Sequence, residues 1–377
     1  METKQENEQN INDALEQLAS VSRFYGVDPD YVIAGGGNTS YKNKTTLWVK
    51  GSGVSLGGIT PAGFVAMDRQ KLAKLWDLSP SGGKTEADGN AAEREKAVLE
   101  GLLAARLPGE EQKRPSVETL LHDLLPFSFV VHTHPSLVNG LTCSQDADKA
   151  ARSLFGDDVV WIPIADPGFV LANEVRKAIA GRKAPSFFFL QNHGVFVGAD
   201  TVEEIKLLYK KIMDTINSKV KRRPDMGGES TSYAGNAIAQ LQKISGGFVS
   251  FIRNNEIAAL VKSRASFAPA SSSFTPDHIV YAGSDPLFIE KGKDMEEAWK
   301  AHTKEKGRPP KIAALEGEGV FGIGQSEKAA VLALELFNDV VKVAAYAENF
   351  GGYRFMTAEK IAFINDWEAE HYRSNMV

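Results

Sequence analysis

Phe129-Val130-Val131-His132-Thr133-His134-Pro135 is the stretch that decides how the chain is read. A short apolar run leads to the histidines, and Pro135 cannot donate to a sheet ladder, so the pattern predicts a buried strand that stops there. Side chains two apart on a strand share a face, which sets His132 and His134 side by side. A third imidazole is offered by His193, where the run Phe187-Phe188-Phe189-Leu190 ends in Gln191-Asn192-His193-Gly194. Any one of these histidines alone would read as a hydrogen-bonded core residue. Together, three neutral imidazoles and an open position are the arrangement of a catalytic zinc. Imidazole ligands suit Zn²⁺, with Mn²⁺, Co²⁺ and Ni²⁺ as the alternatives.

The segments before the pair supply further chemistry. Pro115-Ser116-Val117-Glu118-Thr119-Leu120-Leu121-His122 reads as the start of a helix that leads into the histidine strand, with Pro115 in its first turn. Glu118 and His122 are four apart and hence on one face. A glutamate delivered to a metal-bearing strand is suited to general acid/base work, while His122 reads as a structural residue. Further upstream, an amphipathic helix is expected over residues 10–25 and a strand at Tyr31-Val32-Ile33-Ala34, running into Gly35-Gly36-Gly37-Asn38-Thr39-Ser40. Thr46-Leu47-Trp48-Val49-Lys50 returns and enters Gly51-Ser52-Gly53. Two loops rich in glycine and side-chain donors suit an anion. They do not make a dinucleotide fingerprint, because the glycine spacing and the following helix are missing.

Composition narrows the class. The 377 residues exceed what one core usually holds, and 43% hydrophobic with 24% charged residues describe a soluble globular chain. A net charge of −5 argues against nucleic acid as the main partner. One cysteine, Cys143, rules out an intrachain disulfide and fits a reducing compartment. The polar start METKQENEQN has no signal-type apolar segment, and no apolar run approaches the roughly 18 residues of a membrane span. The expectation is a cytoplasmic protein with no membrane partner.

Farther along, Ser79–Glu93 reads as a surface loop, with a helix over residues 90–106 after it. A helix capped by Asp200 or Thr201 carries the stripe Ile205, Leu208, Ile212 and Ile216. Residues 219–247 read as the join between halves, so the expected domains are 1–235, holding the chemistry, and 236–377. The second half reads as a degenerate partial copy. Leu315-Glu316-Gly317-Glu318-Gly319-Val320-Phe321 parallels Leu190-Gln191-Asn192-His193-Gly194-Val195-Phe196, with Glu318 in the place of His193. Asp277-His278-Ile279-Val280 through Asp285-Pro286 is expected to parallel Asp158-Val159-Val160-Trp161 through Asp166-Pro167. No second pair like His132 and His134 occurs.

GGGNTSYK, VKGSG, PSVETLLH, VVHTHP and QNHGVFVGAD, in this order over residues 20–220, resemble the class II aldolase/adducin family. With its second half the chain is most similar to the aldolase portion of the rhamnose-utilisation aldolase/dehydrogenases. The resemblance implies an α/β/α sandwich around a mainly antiparallel sheet. It implies zinc on His132, His134 and His193, proton transfer by Glu118, and a phosphate pocket of Asn38, Ser52, Gly53 and Ser116. The implied activity is cleavage of a ketose 1-phosphate, of the rhamnulose or fuculose type, to dihydroxyacetone phosphate and an aldehyde. Epimerisation or dehydration at the same metal, or a non-catalytic adducin-like module, are the alternatives. The implied assembly is a homo-oligomer; packing of the second half against the first would favour a dimer over the family's tetramer. Two positions depart from the pattern: Val117 replaces a small hydroxyl residue, and Ile164 stands where a tyrosine is expected.

Overall fold

The computed structural model describes residues 4–77, 91–181, 183–228, 230 and 235–367. They form two compact units. Among those residues, one unit comprises the chain up to Pro135 with Ala151–Thr215, and the other Ser136–Ala150 with the chain from 216 to 367. The sequence places this division later, at 235/236, and carries no signal for the transfer of 136–150. Most of the expected loop Ser79–Glu93 lies outside the described residues; the helix after it runs Ala91–Ala104.

The first unit is built on seven strands: β1 Asn38–Lys42, β2 Thr46–Lys50, β3 Phe64–Asp68, β4 Phe129–Thr133, β5 Val159–Ile162, β6 Phe187–Leu190 and β7 Gly194–Ala199. Their order is β3-β2-β1-β4-β7-β6-β5. Every neighbouring pair is antiparallel except β5 with β6. Successive residues of β1 show the layering, because alternate side chains leave opposite faces. Thr39 Oγ1 lies 2.7 Å from Ser22 Oγ on the helix Lys4–Gly26, whereas Ser40 Oγ meets Nδ1 of His122, on the helix Thr119–Leu124, at 2.8 Å. On the Ser22 side the helix Val202–Asn217 also docks, its Tyr209 hydroxyl donating to the Val131 carbonyl at 3.1 Å. Thr201 caps this helix, its Oγ1 accepting from the Glu204 N–H, and Asp200 is taken up by Ser128 instead. On the His122 side, Leu102, Leu120, Leu121, Phe169 and Val175 pack with Val49, Val130, Phe188 and Phe196 in one apolar cluster. Burial of each such side chain contributes about 1.5–3 kcal/mol.

The strand expected at Tyr31–Ala34 does not form. The chain turns there, with the Tyr31 N–H donating to the Asp28 carbonyl at 2.9 Å and Ala34 at φ +56°. The Tyr31 ring is committed to Tyr25 and Tyr209, at 4.9 and 5.8 Å, and the strand begins only at Asn38. Aromatic packing across the unit outweighs the local strand propensity.

The second unit repeats half of this sheet. Strands β8 Phe248–Ile252, β9 Leu287–Ile289, β10 Ile312–Leu315 and β11 Gly319–Gly324 lie in the order β8-β11-β10-β9. This matches β4-β7-β6-β5, with one parallel pair in the same place. Register fixes the equivalences. Gly319 pairs with Leu315 and Val320 with Ile252, as Gly194 pairs with Leu190 and Val195 with Thr133. Phe251, Arg253 and Glu318 therefore stand at the positions of His132, His134 and His193, so the copy has no ligand set.

One expected equivalence is corrected. His278–Ala282 is a buried helical turn, and the edge strand β9 follows Asp285-Pro286, whereas β5 precedes Asp166-Pro167. The cause is His278. Its ring is fully buried, with Nδ1 accepting from the Phe274 N–H at 3.3 Å and Nε2 donating to Asp339 Oδ2 at 2.8 Å. Asp339 also takes a hydrogen bond from the Ser136 hydroxyl. It sits on the long helix Glu327–Ala347, whose Leu332, Leu336 and Val340 are buried as their spacing predicts. Asp339→Ala leaves two buried donors without an acceptor and is expected to cost about 2–4 kcal/mol, read as a lower urea midpoint. Asp339→Asn, which keeps one oxygen, should lose less.

Candidate metal centre

His132 stands near the end of β4 and His134 just beyond it, while His193 comes from the tight turn between β6 and β7. That turn needs Asn192 at φ +56°, a left-handed conformation that asparagine tolerates better than most residues. His193 is thus a turn residue, where the sequence placed it at the end of a strand. The ligand nitrogens of the three imidazoles all lie within 4.8 Å of one another, and those of His132 and His134 are 2.9 Å apart. His132 and His193 are buried, and His134 is partly so.

The surroundings hold these rings in a ligating pose. His132 Nδ1 lies 2.9 Å from the Val195 carbonyl, which can only accept, so Nδ1 carries the hydrogen and Nε2 presents its lone pair to the cluster. Phe196 stacks on the same ring at 3.9 Å and 9°. A Cβ on Gly194 would come within 2.5 Å of the Thr133 carbonyl and 2.7 Å of His134 Cδ2, so only glycine lets the turn close on the histidines. The Tyr31 carbonyl accepts the His134 N–H at 3.0 Å.

Glu118 completes the centre. Pro115 bridges to Gly51, so the helix starts later than its sequence suggests and Glu118 occupies the N-cap. Its side chain makes no capping bond. Oε2 accepts from the Asn38 side-chain amide at 2.6 Å, and Oε1 lies 3.7 Å from Nε2 of both His132 and His193. Oε1 is buried and accepts no hydrogen bond among the described residues, which is costly unless a proton or cation serves it. Converging imidazole nitrogens, a fixed tautomer and this carboxylate oxygen together fit a divalent ion. His122 lies behind, fully buried against Phe196 at 5.3 Å, and burial holds its pKa well below the ordinary histidine range. That accords with a structural role.

The family model described as the class II aldolase and adducin N-terminal domain matches residues 16–215. The chain belongs to this family. The N-terminal class II aldolase domain of a conserved protein from Thermoplasma acidophilum is 30% identical, with a TM-score of 0.45 over 54% of this chain and 92% of that one. An L-fuculose 1-phosphate aldolase is 19% identical, with a TM-score of 0.38 over 55% of this chain and 84% of its own. Over 420 aligned residues the chain is 23% identical to the uncharacterized oxidoreductase YuxG of Bacillus subtilis (strain 168), covering 95% of this chain and 58% of that protein. It thus spans less than two thirds of that relative's length. Among the described residues, no helix is long and apolar enough to cross a membrane.

In this class II aldolase/adducin chain, the four residues expected to hold phosphate fall into two places. Ser52 and Gly53 follow β2, where the Ser52 N–H donates to the Arg114 carbonyl at 2.7 Å and Gly53 has φ +81°. The Gly51–Pro115 bridge draws this loop alongside Ser116, whose Oγ accepts the Glu118 N–H at 3.2 Å. Asn38, in contrast, spends a side-chain N–H on Glu118. No local pattern announced that bond, since 80 residues separate the partners. Phe196 and the Val195 carbonyl were likewise not singled out, although the glycine beside His193 was a cue to close packing.

Proposed function

We propose that the protein is a divalent-metal-dependent carbon–carbon lyase that cleaves a ketose 1-phosphate, of the rhamnulose or fuculose type, to dihydroxyacetone phosphate and an aldehyde. The reading is carried by the buried Glu118 oxygen 3.7 Å from two of the three clustered imidazoles. His132, His134 and His193 would hold the ion, with zinc the best match to their nitrogen ligands. Bound there, it supplies Lewis acidity toward the substrate's carbonyl and neighbouring hydroxyl oxygens.

The remaining work falls to the chain. Cleavage leaves an electron pair on the carbon next to the carbonyl, and Glu118 gives that carbon its proton; in condensation it removes the same proton. Asn38 holds Oε2, which turns Oε1 toward the reacting carbon. Ser52, Gly53 and Ser116 receive the phosphate, with Lys50 as a charge partner. Ile164 offers no proton to the aldehyde oxygen, so another group must serve it. This departure favours, as the second reading, an epimerase or dehydratase that uses the same residues.

A screen of ketose 1-phosphates with metal-replete protein tests the proposal, with dihydroxyacetone phosphate and aldehyde measured separately. Equal yields of the two are expected. An isomerised sugar phosphate without cleavage would establish the epimerase, and loss of water the dehydratase. Protein without bound metal and inert to all of them would be a binding module.

A further inference from the structure

We infer that the second unit carries a binding site for a small organic oxyanion, a carboxylate or a phosphate, held by Arg308, Lys311, His302 and Asn365. These residues line a cavity of about 120 Å³, with Ile279, Val280 and Ile364 among its apolar walls. The volume admits several water molecules, and hence an oxyanion head. Every described residue that lines it belongs to the second unit.

Donors predominate among the described polar side chains of the lining, and their needs are incompletely met. Arg308 Nη2 donates to Ser284 Oγ at 2.8 Å and to Asp285 Oδ2 at 3.1 Å, while Nε and Nη1 have no acceptor among the described residues. Lys311 Nζ donates to the Val280 carbonyl at 2.6 Å, which leaves two of its three protons. Asn365 Nδ2 is buried and has no partner among the described residues. The His302 ring makes no hydrogen bond among the described residues. Asp285, the one carboxylate among the described lining residues, is already engaged by Arg308, by the Ser284 hydroxyl at 2.5 Å and by Lys306 at 3.7 Å.

An acceptor-rich anion answers this surplus, and the planar guanidinium fork selects a carboxylate or phosphate edge. The Lys311 ammonium is held below its usual pKa range, first by desolvation and then by the Arg308 charge, a penalty that a bound anion would relieve. The apolar walls favour an organic body behind the head. The cavity is no remnant of the metal centre. Lys311 precedes β10, while Glu318, which stands in the place of His193, lies past its far end.

Titration calorimetry of the full chain with inorganic phosphate and with propionate, at constant ionic strength, reads the site. At least one of the two anions should bind, and Lys311→Met and Arg308→Gln should each weaken that binding about tenfold or more. Crystals soaked in that anion should show it between Arg308 and Lys311. Phosphate alone would mark a phosphorylated ligand, and propionate alone a carboxylate. Should Arg308→Gln misfold once Asp285 loses its partner, Lys311→Met decides. Unchanged affinity for both anions in Lys311→Met, or soaked crystals with neither anion in the cavity, would overturn the inference.

Discussion

His134→Ala is expected to purify with most of its metal gone and with turnover at background. The wild-type chain should carry about one divalent ion on three imidazoles, the minimum set of protein ligands for a catalytic site. Removing His134 leaves two nitrogens, one on β4 and one in the turn between β6 and β7, too few to keep the ion through purification. His134 is the best of the three to remove, because it is the least buried and its loss disturbs the core least. Elemental analysis beside the far-ultraviolet circular dichroism of the same sample checks this. Full metal occupancy in a folded variant would sink the ligand assignment.

Glu118→Gln is expected to keep the metal and the fold yet lose at least ~10² in turnover, the lower end of what a positioned acid/base supplies. An amide retains the carboxylate's shape and still offers an oxygen to the Asn38 donor now held at 2.6 Å. What disappears is the ability to carry a proton at the Oε1 position. Parallel metal analysis separates the two variants, since the first should lose ion and activity together and the second activity alone. Unchanged turnover in Glu118→Gln would move the proton-transfer role elsewhere, with His122 the next residue to test.

Much of this centre was legible because its signals are local. His132 and His134 share a face through the period of a strand, and the stripe ending at Ile216 follows the period of a helix. Both rules act within a few residues, so the sequence by itself determined the His132–His134 pair, the strand-and-helix class and, by comparing the two halves, the copy that lacks a second such pair. Tertiary structure decided the rest. Tyr31 leaves its predicted strand to pack on Tyr209, and His278 leaves its own to meet Asp339. Asn38 turns to Glu118, and Phe196 stacks on His132 from the neighbouring strand. In each case the partner lies 61 or more residues away, or on a strand whose register no short window records. Periodicity states which way a side chain points; only the folded chain decides what it meets there.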